Sequence, residues 1–226
     1  MVSALLDVFF PKVCLGCDSM LTDHEYYLCT TCRHELPITN FHLTNDDTVK
    51  KIFYGRSKVE HATALLRFQK KGIVQHLIHN LKYKGYQDVG EFLGQWLGEE
   101  LKSLHNYASI DVVIPVPLHP KKFKKRGYNQ VAKFAKEIAI ALKAEYIDDV
   151  LKKQTNTSSQ VYKNRLERWT NPKERFVLQN SHRIRGKYIL LVDDIITTGA
   201  TLEACMTILN SEENHKISIA TMAITS

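Results

Sequence analysis

The stretch YILLVDDIITTGATL, residues 188–202, decides how the rest of the chain is read. Tyr188, Ile189, Leu190, Leu191 and Val192 form a short apolar run of the kind buried on both faces of a parallel sheet. The run ends in Asp193 and Asp194, and the loop Thr197, Thr198, Gly199, Ala200 and Thr201 then opens a helix. In a parallel sheet, ligands bind beyond the carboxyl ends of the strands. Helix N-terminal amides with threonine hydroxyls make a phosphate cradle, and Gly199 lets the backbone approach closely. Adjacent carboxylates repel a phosphate; their natural partners are sugar hydroxyls and a hard cation such as magnesium. The local chemistry therefore suits a sugar phosphate, with the phosphate on the loop and the sugar on the acids. There is no GK[ST], so the loop is not a Walker loop.

Working outward, short apolar runs alternate with helical patterns. Strands are expected at 112–116, 146–151, 176–178 and 217–224, and helices at 131–142 and 200–209. Such alternation implies α/β architecture with a parallel sheet covered on both faces. Upstream, 89–104 carries an amphipathic helical stripe, and 61–85 reads as one or two helices punctuated at Gly72 and ended by Gly85. Residues 51–60 look like a short strand or hairpin, 37–50 like a polar linker, and 1–11 like a short helix stopped by Pro11. No segment approaches the roughly 20 apolar residues of a membrane span, so no membrane insertion is expected. The chain is expected to be cytoplasmic, with reduced thiols.

The 226 residues carry a net charge of +7, unevenly placed. Residues 1–110 are neutral, 111–187 carry +11 and 188–226 carry −4. A cationic centre beside an acidic end points to an anionic partner, either a metabolite or a nucleic-acid backbone. Most of the excess lies on two segments. VVIPVPLHPKKFKKRGYNQ, residues 112–130, runs from a strand through a proline-rich turn into a basic loop holding Lys121, Lys122, Lys124, Lys125 and Arg126. Arg126 is the main phosphate candidate, since its planar fork matches phosphate oxygens, and Asn129 can cap the following helix. Residues 154–175 are polar and basic, and include Lys163, Arg165, Arg168 and Trp169. They suit either a lid over a diphosphate or, through Trp169, a stacking contact with a base.

Near the start, CLGC (14–17) and CTTC (29–32) are separated by eleven residues. Two such knuckles can bring Cys14, Cys17, Cys29 and Cys32 to one ion at about 2.3 Å and close a tetrahedron, which favours structural zinc over the alternatives, an iron–sulfur cluster or paired disulfides. A module this small, under about 40 residues, needs metal to fold. Cys205 lies within the apolar pattern of 200–209 and reads as a buried small hydrophobe.

Residues 190–201 resemble, position by position, the phosphoribosyl pyrophosphate motif of type I phosphoribosyltransferases. In that family the two acids bind the ribose hydroxyls and the TTGAT loop binds the 5′-phosphate. The resemblance implies those roles for Asp193 and Asp194, and for Thr197, Thr198, Gly199, Ala200 and Thr201. It also implies a pyrophosphate loop around Arg126 and Asn129, and a mobile loop bringing Lys163 and Arg168 to the diphosphate. FFPKVCLGC, the second CxxC, LKYKG at 81–85, IPVPLHP at 114–120, RGYNQ at 126–130 and VDDIITTGAT together resemble the ComF family in order. That implies a type I phosphoribosyltransferase-like α/β fold, a central mostly parallel sheet flanked by helices at 41–226, preceded by a four-cysteine zinc module at 1–40.

The resemblance further implies a bacterial protein linked to uptake of transforming DNA, with single-stranded DNA and an uptake helicase as partners. The expected activity is magnesium-dependent transfer of phosphoribosyl from phosphoribosyl pyrophosphate to an acceptor, with release of pyrophosphate. The alternative is a non-catalytic single-stranded-DNA-binding competence protein using the sugar-phosphate site as a sensor. Nothing in 51–104, where acceptor recognition would lie, reads as a base-specific pocket.

Overall fold

A computed structural model describes residues 12–155 and 174–225. Strands β1 (Ala62–Phe68), β2 (Val112–Pro115), β3 (Glu145–Tyr146), β6 (Tyr188–Ile196) and β7 (Lys216–Thr225) form the central sheet. Its order is β1-β7-β6-β2-β3, and every pairing is parallel. Strands β4 (Leu151–Thr155) and β5 (Glu174–Leu178) pair antiparallel as a separate ribbon.

Alternation along β6 shows why the apolar run is continuous. Leu190 and Val192 face one core with Val113, Ala220 and Met222. Ile189 and Leu191 face the other with Ile114, Ile217 and Ile219. Two-sided burial removes the polar face that a half-exposed strand would show. Helices α4 (Ile73–His79), α5 (Asp88–Lys102) and α7 (Ala132–Leu142) cover the first face, and α8 (Ala200–Leu209) covers the second.

Helices α5 and α7 pack closely along Gly90, Gly94 and Gly98, spaced one turn apart. A Cβ at Gly94 would lie 2.7 Å from the Phe134 carbonyl oxygen, so only glycine admits this approach.

Several upstream expectations are corrected. Residues 62–68 form β1 rather than the start of a helix, because Ala64, Leu65 and Leu66 are buried between both helical layers. The expected strand in 51–60 is a turn, and the expected linker 37–50 holds two short helices, α2 (Phe41–Thr44) and α3 (Thr48–Lys51). Phe41 and Val49 anchor these to the core. Strand β6 does not stop at the acids but continues to Ile196, pairing with β7 on both sides of Asp194. The 146–151 run is split: β3 covers two residues and β4 begins only at Leu151. The helix expected at 1–11 lies outside the described residues.

The cysteine segment, which holds helix α1 (Thr30–His34), shares the first core. Cys14, Leu15, Leu28, Cys32 and Leu36 are buried with Leu65, Leu77 and Leu81. The backbone joins them too, since Thr39 N donates to the Leu65 carbonyl at 3.0 Å and Arg67 N to Pro37 at 2.8 Å.

Candidate functional site

The β2 and β6 ends lie side by side at the carboxyl edge of the sheet, with Pro115 opposite Val192. Val116 N donates to Val192 O at 2.8 Å and carries the chain past the acids. A cavity of about 550 Å³ opens there, and Arg126, Asp193, Asp194 and Thr201 all line it. Thr197, Thr198, Gly199 and Ala200 line a small adjoining recess with Asp193 and Thr201. The acids and the loop are thus brought to one continuous concavity.

The two acids differ in environment. Asp193 is buried and accepts the Asp194 amide on Oδ1 at 2.8 Å. Burial, reinforced by the charge of Asp194, pushes its carboxyl up to about 8. Asp194 is engaged on both oxygens: Oδ1 accepts Ile195 N at 2.7 Å, and Oδ2 meets Gln130 Nε2 and Lys82 Nζ, each at 2.8 Å.

The loop is held from beneath. Gly199 has φ +76°, and a Cβ there would lie 2.8 Å from Ile52 Cγ2 and 2.9 Å from Phe53 Cε1. Its close approach is therefore to the protein's own 52–53 segment. Arg56 bonds the Ile52 carbonyl, donates to Thr198 O at 3.2 Å and pairs with Glu203 at 2.8 Å. Thr197, Thr198, Ala200 and Thr201 remain exposed at the start of α8, where helix amides lack intrahelical acceptors.

The basic segment is a helix, α6 (Pro120–Arg126), not a loop. Pro120 suits its first turn, His119 Nδ1 accepts Lys121 N at 3.1 Å, and Gly127 ends it at φ +83°. This puts Lys122, Lys125 and Arg126 on the cavity wall. Arg126 bonds Gln130, and its guanidinium stands 5.8 Å from the Tyr83 ring centroid. Asn129 does not line the cavity: Oδ1 accepts Val131 N at 3.2 Å, just ahead of α7, and Nδ2 donates to Val116 O at 3.0 Å. It splints the β2 exit to the next helix. Lys163, Arg165, Arg168 and Trp169 lie outside the described residues.

Lys82, Tyr83, Gln130 and Lys153 also line the cavity, although the sequence reading gave none of them a role. Lys82 lies in LKYKG and Gln130 in RGYNQ, but their contact with Asp194 needs the fold. Lys82 and Tyr83 stand in a single π-helical turn, Asn80–Lys84, a widened turn often found at functional sites.

The Sγ atoms of Cys14, Cys17, Cys29 and Cys32 lie within 4.8 Å of one another. The Cys17–Cys29 separation is 3.8 Å, matching the spacing of about 3.8 Å between sulfurs 2.3 Å from one tetrahedral ion. Amides point at the sulfurs: Cys29 N and Gly16 N donate to Cys14 Sγ at 3.2 and 3.4 Å, and Cys32 N to Cys29 Sγ at 3.4 Å. Such donors favour thiolate, the form a metal requires. The donor set fits structural zinc. Cys205 is fully buried in α8, and burial pushes its thiol well up.

The sequence model for a phosphoribosyl transferase domain matches residues 102–224, over half the chain. The chain belongs to that family. A double zinc ribbon domain matches residues 5–42, and with the named relatives below this makes it a ComF family protein. Competence protein F of Haemophilus influenzae is 25% identical over 84% of this chain and 80% of its own length. Competence protein ComFC of Streptococcus pneumoniae is 35% identical over 53% of this chain and 51% of its own. DNA utilization protein YhgH of Escherichia coli strain K12 is 25% identical over 56% of each. The chain thus spans about half the length of the last two. Among solved structures, glutamine phosphoribosylpyrophosphate amidotransferase from B. subtilis is 18% identical, with TM-score 0.44, over 64% of this chain and 30% of that one. No helix among the described residues is long and apolar enough to cross a membrane.

Proposed function

We propose that the chain binds phosphoribosyl pyrophosphate with magnesium and transfers the phosphoribosyl group to an acceptor, releasing pyrophosphate. The observation that carries this is the meeting of Asp193, Asp194, the 197–201 loop and the basic helix α6 around one cavity. The 197–201 amides and hydroxyls hold the 5′-phosphate at the N-terminus of α8. Asp193 and Asp194 orient the ribose hydroxyls. Lys122, Lys125 and Arg126 face the diphosphate as it leaves C1, and the acceptor attacks the opposite face with inversion. Bound magnesium would add Lewis-acid stabilisation of the leaving diphosphate. Lys163 and Arg168, outside the described residues, would supply further cations to it. The named relatives suggest that the reaction serves the handling of DNA taken up in competence, in the cytoplasm.

Calorimetric titration of the zinc-loaded chain with phosphoribosyl pyrophosphate, against D193A and D194A, tests this. Affinity should fall at least tenfold in each variant, about 1.4 kcal/mol. Unchanged affinity in both would overturn the assignment.

A second reading follows from α6, whose Lys121, Lys122, Lys124 and Lys125 are all exposed. On this reading the helix tracks a single-stranded DNA backbone, and the sugar-phosphate site acts as a sensor. An uptake helicase would then be the partner that delivers the strand. Affinity for a single strand should fall steeply with salt, with a log–log slope of about 0.7 per phosphate neutralised. A flat salt response would remove it.

A further inference from the structure

Lys82 carries no signal of function in the sequence beyond its place in LKYKG, yet the fold sets it against the acid pair. Its ammonium is 2.8 Å from Asp194 Oδ2, with the two side chains 23% and 10% exposed. Its charge also reaches Asp193. An ammonium has three donors, and the contact with Asp194 uses one. The rest of the group lines the cavity together with Lys122, Lys125 and Arg126.

The turn that carries Lys82 is anchored on both sides. Buried Asn80 donates to the Leu15 carbonyl at 3.3 Å, Tyr128 bonds the Leu81 carbonyl, and Gly85 closes the turn at φ +83°. A shielded ion pair contributes little net stability, because desolvation offsets the attraction. Holding one on an anchored turn at a cavity wall makes sense if the cation has a second partner there. The walls around it are cationic, so that partner is an anion.

We infer that Lys82 is the site's built-in cation: its ammonium bridges Asp194 and the diphosphate of the bound sugar diphosphate. This rests on the phosphoribosyl pyrophosphate reading above and adds a consequence which that reading does not require. The chain should hold the ligand without a divalent cation, because Lys82 supplies charge that magnesium otherwise brings.

The test is calorimetric titration of the zinc-loaded full chain with phosphoribosyl pyrophosphate, in excess magnesium and again after magnesium is withheld. Wild type should bind in both conditions. K82M should weaken at least about tenfold without magnesium, the loss of a charge-assisted contact, and recover most of it with magnesium. K82R, which keeps the charge, should stay near wild type, and circular dichroism confirms that each variant is folded. Without magnesium, K82M/D194N should bind more weakly than D194N alone. If the two bind equally, Lys82 serves only to neutralise Asp194 and the bridge is refuted. Wild type that binds only with magnesium, or K82M with the same magnesium dependence as wild type, also refutes it while leaving the functional reading intact. Wild type that fails to bind in either condition overturns both.

Discussion

At the scale of single residues, Asp193 and Gly199 carry the clearest consequences. Asp193 titrates higher in the fold than in an unfolded chain, so the folded state binds the extra proton between those values. Its contribution to stability is therefore full below about pH 4 and is lost as pH rises through about 8. D193N should raise the melting temperature at pH 8 by at least about 2–4 °C, with the gain shrinking toward pH 5. An equal effect at both pH values would contradict the burial argument. G199A meets both a left-handed φ and the Phe53 ring, and should cost about 2–4 kcal/mol in denaturant unfolding. A cost near zero would mean that the loop is not braced on residues 52–53.

At the scale of elements, legibility depended on whether a segment's pattern was set locally. The sequence of β6 with α8 was readable because two-sided burial, acids and a helix start follow one another. Strand β1 was misread because two-sided burial leaves no alternation, and a short apolar run near Gly72 matches a helix equally well. Helix α6 was missed because it buries no side chain; its signals were Pro120 at the first turn and Gly127 at the end. The glycine seam of α5 was hidden behind its apolar stripe. G94A should open the α5–α7 contact and cost about 1–3 kcal/mol. Unfolding equal to wild type would show that the helices part without penalty.

On the candidate site, the acids, the loop and the basic segment were legible as motifs. Lys82, Gln130 and Arg56 were not, since each acts on a partner distant in sequence.

At the scale of the whole molecule, the zinc module and the sheet share one core, and the knuckle sits on the segment that carries Lys82. Asp18 lies 3.3 Å from His76 and 3.8 Å from Lys84, and Leu15 receives Asn80. Removing zinc with a strong chelator should therefore speed hydrogen exchange at 76–84 as well as at 12–40. Faster exchange confined to 12–40 would show that the two parts are uncoupled. The charge pattern also resolves spatially, with cations from the basic centre and carboxylates from the acidic end lining one cavity.

The central claim is that this cavity holds a sugar diphosphate in one orientation. A crystal structure of the chain saturated with phosphoribosyl pyrophosphate tests it most directly. The account predicts the 5′-phosphate within hydrogen-bond distance of the 197–201 amides and the ribose hydroxyls on Asp193 and Asp194. Ligand bound elsewhere, or with its phosphate away from that loop, would contradict it.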